Sequence, residues 1–171
     1  MATEEIINRV ANSKLVTFNL EDYYPKGQRV TFDISSWLLE GFVLRESAFR
    51  EEAKNYDWSQ YQDCYVALYC STEAIIPAWA YMLIATYLQP YAKKTVNGRL
   101  EDLESILHTE VIQQMDLSAL ADKPVIIKGC ANKPVPKNAY LLLINKLQPI
   151  VKSIMYGEAC SSVPLYKKPK N

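Results

Sequence analysis

One feature constrains this chain more than any other: it repeats itself. Residues 77–98 align with residues 136–157 at a constant offset and without a gap. Pro77/Pro136, Ala80/Ala139, Tyr81/Tyr140, Leu83/Leu142, Leu88/Leu147, Gln89/Gln148, Pro90/Pro149, Lys93/Lys152 and Gly98/Gly157 are identical. That is nine matches in twenty-two positions, where average composition predicts about one or two. The segment is an internal duplication, and each copy informs the other.

Each copy predicts a strand, a helix and a strand. Residues 65–69 and 124–128 are short apolar runs that read as buried strands. Pro77 and Pro136 suit the start of a helix, where a missing N–H costs nothing. Pro90 and Pro149 disfavour helical geometry at Gln89 and Gln148, so both helices should end there. Residues 95–96 and 154–156 then occupy equivalent places before a glycine and read as second strands. Two βαβ units with parallel strands and right-handed crossovers follow. Residues 100–115 form a linking helix, with Leu103, Ile106, Leu107 and Val111 on one face. Upstream, residues 15–18 and 29–34 are strand-like and flank Tyr24-Pro25-Lys26-Gly27, which predicts a hairpin.

The expected fold class is α/β. It is a mostly parallel sheet with helices on both faces, built from two similar βαβ units, plus an N-terminal β-hairpin and helix region. The chain reads as a single α/β domain of 171 residues. Residues 1–62 hold the hairpin and helices. Residues 64–122 hold the first repeat with the linking helix, and residues 123–171 the second repeat with a basic tail. A content of 49% hydrophobic residues supports a buried core and excludes a disordered or collagen-like chain.

Basic and acidic residues balance at 19 each. The balance conceals a split. From Lys123 onward there are nine lysines and one acid, Glu158, whereas the first 122 residues carry ten basic and eighteen acidic groups. The second repeat is therefore the place to look for an anion or an acidic protein partner. Nothing points to nucleic acid. The apolar stretch over residues 74–92 is interrupted by Pro77, Gln89 and Pro90 and reads as a helix of a soluble domain, not a membrane span. The acidic N-terminus lacks the apolar core of a signal peptide. These features predict a cytoplasmic protein with reduced thiols.

Ligands of open parallel sheets bind beyond the carboxyl ends of the strands. Cys70 and Cys130 follow the first strands of the two repeats, and Cys160 follows the last strand if residues 154–156 are extended. Cys64 lies at the opposite end of its strand, about 20 Å from Cys70, and reads as a core cysteine. The candidate metal ligands are therefore Cys70, Cys130 and Cys160, which could hold zinc or an iron–sulfur cluster. The candidate anion-binding residues are Ser71, Thr72, Lys128, Lys133 and Lys137, with backbone N–H groups at the helix start. Two alternatives stand beside an accessory protein with this thiol-rich site. One is a cysteine-dependent enzyme acting on a small anionic substrate with Cys130 as nucleophile. The other is a homodimeric interaction module without a cofactor. His108, the single histidine, reads as a packing residue. Glycine-rich phosphate loops and the G-x-S-x-G elbow are absent, and no pattern identifies a reaction.

Three motifs carry a family resemblance. They are Asp57-Trp58-Ser59-Gln60-Tyr61, Lys128-Gly129-Cys130 followed by Lys133-Pro134-Val135-Pro136, and Tyr156-Gly157-Glu158-Ala159-Cys160-Ser161-Ser162-Val163-Pro164. With them the chain resembles, nearly end to end, a bacterial family known as domain of unknown function 2480. Members of that family often lie near genes of the sulfur-mobilising iron–sulfur assembly system. The resemblance therefore implies an accessory role related to iron–sulfur clusters, and it implies no established activity.

Overall fold

The computed structural model describes residues 15–129, 132–158 and 160–169. The chain divides into two compact units. An inserted unit spans Pro25–Leu107, and a flanking unit is made of Met1–Tyr24 and His108–Asn171.

The inserted unit contains β1 (Arg29–Asp33), α1 (Glu46–Asn55), β2 (Tyr65–Tyr69), α2 (Ala78–Leu88), β3 (Lys94–Asn97) and the first half of α3 (Leu100–Gln114). Its three strands are parallel, in the order β1-β2-β3. Alternation along β1 and β2 sends Phe32, Val66 and Leu68 to one face, where they pack with Phe49 and Ala53 of α1 and Ala80, Ile84 and Leu88 of α2. The other face carries Ala67 and Val96, covered by Leu103 and Leu107 of α3. Helices therefore cover both faces. On α3 the buried set is Leu103, Glu104, Leu107, His108 and Ile112, whereas Ile106 is exposed. The expected apolar face was thus rotated toward Ile106, because Glu104 and His108 are the polar residues that turn inward.

The flanking unit contains β4 (Val16–Phe18), the second half of α3, β5 (Pro124–Ile127), α4 (Lys137–Leu147), β6 (Ser153–Glu158) and β7 (Ser161–Lys167). Its sheet order is β4-β5-β6-β7, with three parallel strands and an antiparallel β7. Phe18, Val125, Ile127 and Ile154 pack with Ile112 of α3 and with Ala139, Leu143 and Leu147 of α4.

These observations establish the α/β class and correct two details. Residues 16–18 and 29–33 are strands, but they do not form a hairpin. Each pairs in parallel with the first strand of a repeat, in a different sheet. The segment between them holds a 3-10 helix, Leu20–Tyr23, whose Leu20 is buried in the flanking core. Pro25 then starts the other unit. There are accordingly two sheets and not one, because each repeat is completed by its own upstream strand.

The structure extends the duplication. Register aligns Val16-Thr17-Phe18 with Val30-Thr31-Phe32, since Val16 pairs with Val125 and Val30 with Val66, fifty-nine residues apart. The next residues, Asn19 and Asp33, both cap 3-10 helices. At the same offset, Asp57 and Asp116 each accept the N–H two residues on, and Asp63 and Asp122 are both left-handed. Phe49 and His108 also correspond, and both are buried. Both repeat helices end before the expected Gln-Pro pair, although Gln89 and Gln148 themselves remain helical in φ and ψ. No helix among the described residues is long and apolar enough to cross a membrane.

Candidate functional site

The carboxyl ends of the strands in the inserted unit are occupied by the protein itself. The Asp33 carboxylate accepts the backbone N–H of Ser35 and of Ser71, each at 3.0 Å. The hydroxyls of Ser35 and Ser71 lie 2.9 Å apart. Burial pulls the Asp33 carboxyl upward, but the hydrogen bonds from Ser71 and Ser35 outweigh it and hold the group below its ordinary value. Cys70 contacts Thr72 at 3.3 Å. Burial, helped by the neighbouring Cys70 thiol, raises the Tyr81 hydroxyl. Helix α2 begins only at Ala78, capped by Pro77. The sequence placed Cys70, Ser71 and Thr72 at a helix start, but they do not sit there, because a bend over residues 71–73 and an irregular stretch over 74–77 precede the helix.

Thr72 has a structural consequence nearby. Its hydroxyl donates to the Gly41 carbonyl at 2.7 Å. Gly41 belongs to a tight turn in which Glu40 and Gly41 both have positive φ, 53° and 76°. Phe42 N–H closes the turn onto Leu39, as a type I′ turn requires. The bond ties the segment after β2 to the Leu39–Val43 bridge. Between these two lips runs a groove of about 550 Å³. Phe42, Val43 and Leu44 line one lip, and Ala74, Ile75 and Pro77 the other. Trp79 also lines it, packed edge-on against Phe49 and covered by the Arg50 guanidinium at 5.1 Å. The charged lining residues are Glu73 and Glu46, and Glu46 is already paired with the Arg50 guanidinium at 2.9 Å. Ile75 is 93% exposed and Phe42 61%, which is unusual for such large apolar side chains grouped together.

The flanking unit differs at the equivalent place. Lys128, Lys133 and Lys137 all follow β5. Lys128 is half-buried and its N–H bonds Phe18, whereas Lys133 and Lys137 are exposed. The Lys133 N–H donates to Glu21 at 2.6 Å, and its ammonium lies 5.3 Å from the Tyr24 ring. Tyr24 meets His108 edge-on at 5.6 Å. Cys160 is exposed just before β7, at the edge where β5 ends, because β6 is a strand parallel to β5. Cys130 lies outside the described residues.

Cys70 belongs to the inserted unit and Cys160 to the flanking unit, in different sheets. The strands that precede Cys70 and Cys130, β2 and β5, belong to different sheets. Among the described residues no group of three or more His, Cys, Asp or Glu could hold a metal ion. Cys64 is buried, as expected of a core thiol.

The groove residues Phe42, Val43, Glu73, Ile75 and Trp79 did not emerge from motifs. A signal was nevertheless present. Residues 77–92 contain no charged side chain, so α2 must be covered all round or present an apolar face. Met82, 61% exposed, lies on that helix.

No curated protein and no solved structure matches the chain. A family model covers residues 4–168, so the chain belongs to the family described as protein of unknown function (DUF2480).

Proposed function

We propose that this is a non-catalytic cytoplasmic binding protein that docks an apolar, positively charged segment of a protein partner in the groove of the inserted unit. The observation that carries this reading is the groove itself: apolar walls, the Glu73 carboxylate and Ile75 held out into solvent. Exposed apolar clusters rimmed by polar groups mark interaction sites. The charges select the occupant. A lysine or arginine on the incoming segment meets Glu73, and an acidic segment is repelled. Free thiols at Cys64, Cys70 and Cys160 suit a reducing compartment.

The test compares two synthetic amphipathic helices of equal length, one of leucine and lysine and one of leucine and glutamate. Fluorescence anisotropy should detect binding of the Leu/Lys peptide and much weaker binding of the Leu/Glu peptide. Ile75→Lys, which removes the apolar anchor and adds a repelling charge, should abolish binding of the Leu/Lys peptide. Ile75 is almost fully exposed, so that substitution should leave stability within about 0.5 kcal/mol. Equal binding of both peptides, or undiminished binding to the variant, contradicts the reading.

A further inference from the structure

The molecule carries a segment with the chemistry that the groove selects. In β7, Val163 is 59% exposed and Leu165 53% exposed, and Lys167 and Lys168 follow them, both exposed. The Lys168 ammonium is held by Asp122 at 2.9 Å, which leaves Lys167 as the cation nearest the apolar pair that has no carboxylate assigned to it among the described contacts. This combination is what the groove lacks: apolar anchors for Phe42, Val43 and Ile75, and a positive charge for Glu73.

β7 is also unsuited to the commonest use of an edge strand. It lies at the edge of its sheet, where an open row of backbone groups would ordinarily recruit another strand. Pro164 has no N–H to offer, and the pairing with β6 shifts register between Ile154 and Met155. Strand addition is therefore blocked within β7, and its exposed side chains remain available for docking.

We infer that the occupant of the groove is a second copy of this chain, which inserts Val163 and Leu165 of β7 between the groove lips and places Lys167 against Glu73. The inference rests on the reading of the groove as a docking site and names its partner. The charge balance agrees with it. The inserted unit has eight basic and eleven acidic residues, and the flanking unit has eleven basic and eight acidic. Association of one chain's inserted unit with another's flanking unit therefore brings opposite net charges together. Because the two surfaces differ, the contact is heterologous. Such a contact continues from copy to copy unless it is made twice, reciprocally, about a two-fold axis.

Analytical ultracentrifugation of the full chain tests this. The weight-average mass should rise above that of the monomer with concentration. Ile75→Lys alone, and Val163→Glu with Leu165→Glu, should each leave a monomer; all three side chains are exposed, so folding measured by circular dichroism should persist. Glu73→Lys and Lys167→Glu should each weaken association about tenfold, and combining them should restore it to within about threefold of the original. A chain that stays monomeric at every concentration overturns the inference, as does association that survives both groove and β7 variants. The two readings fail separately: a monomer that still binds the Leu/Lys peptide through Ile75 keeps the docking site and loses the second copy as its occupant, whereas failure of both removes the site.

Discussion

The two units share one plan and present opposite surfaces. Each starts with a Val-Thr-Phe strand, continues through a helix whose inner face carries a buried Phe49 or His108, and closes with a β-α-β element. Where the inserted unit has Glu73, Ala74, Ile75 and Trp79, the flanking unit has Asn132, Lys133, Pro134 and Asn138. One copy therefore sets Glu73 beside an apolar groove, and the other is polar and basic. The difference shows how duplication separates the tasks of folding and binding. The inward-facing positions keep their character because close packing tolerates little change. The loop between the first strand and the next helix contributes little to the core, so its residues are free to diverge.

The largest expected effect comes from a buried position at which the units disagree. Arg29 forms an ion pair with Glu104 at 2.6 Å, bonds the Pro25 and Gly27 carbonyls, and lies 5.1 Å from the Tyr65 ring. The flanking unit has Leu15 at that place. Transplanting it, Arg29→Leu, removes the guanidinium from the buried Glu104 carboxylate and should cost about 3 kcal/mol in denaturant unfolding. A loss below about 1 kcal/mol would mean that the inserted unit does not depend on this pair.

A smaller effect should appear at a position where the units agree. Gly98 and Gly157 correspond, with φ of 141° and 121°. A Cβ at Gly98 would meet the Asp102 side chain, which can move, at 2.5–2.8 Å. At Gly157 it would meet the Ser161 backbone carbonyl at 2.7 Å. Gly157→Ala should cost about 2–3 kcal/mol and Gly98→Ala less. The reverse order would show that the β6–β7 turn yields more readily than the start of α3.

The smallest effect concerns the strand-end cap, Asp33 in one unit and Asn19 in the other. The Asp33 carboxyl is lowered in the folded state. Its contribution is present above the unfolded value of about 3.9 and is lost as pH falls through the folded one. Asp33→Asn should destabilise by at most about 1 kcal/mol near neutral pH, since asparagine also caps. The difference from the parent should vanish in acid. A pH-independent difference would assign the effect to packing.

Most of the secondary structure was legible because the repeat doubled each signal. Pro77 with Pro136 and Gly98 with Gly157 marked the same boundaries twice, and residues 154–156 were recognised as a strand only by comparison with 95–96. The hairpin reading failed because turn residues at 24–27 are local, whereas the pairing of β4 with β5 and of β1 with β2 is decided by which core buries Phe18 and Phe32. The Val-Thr-Phe match escaped detection for a topological reason. One unit is inserted within the other, so these strands lie fourteen residues apart while the rest of the repeat lies fifty-nine apart. The charge division at Lys123 likewise cuts across the units and exaggerates their difference. The groove was hidden because its lips come from separate segments joined by the Thr72–Gly41 hydrogen bond, which spacing along the chain does not reveal.

The central claim is that the groove of the inserted unit, and not the basic edge of the flanking unit, receives the partner. Methyl NMR of the full chain, titrated with the synthetic segment of residues 161–169, tests it most directly. The account predicts shifts concentrated at Val43, Leu44 and Ile75, with Leu141 of α4 undisturbed, and their loss in Ile75→Lys. Shifts confined to the flanking unit, or none at saturating peptide, would contradict it.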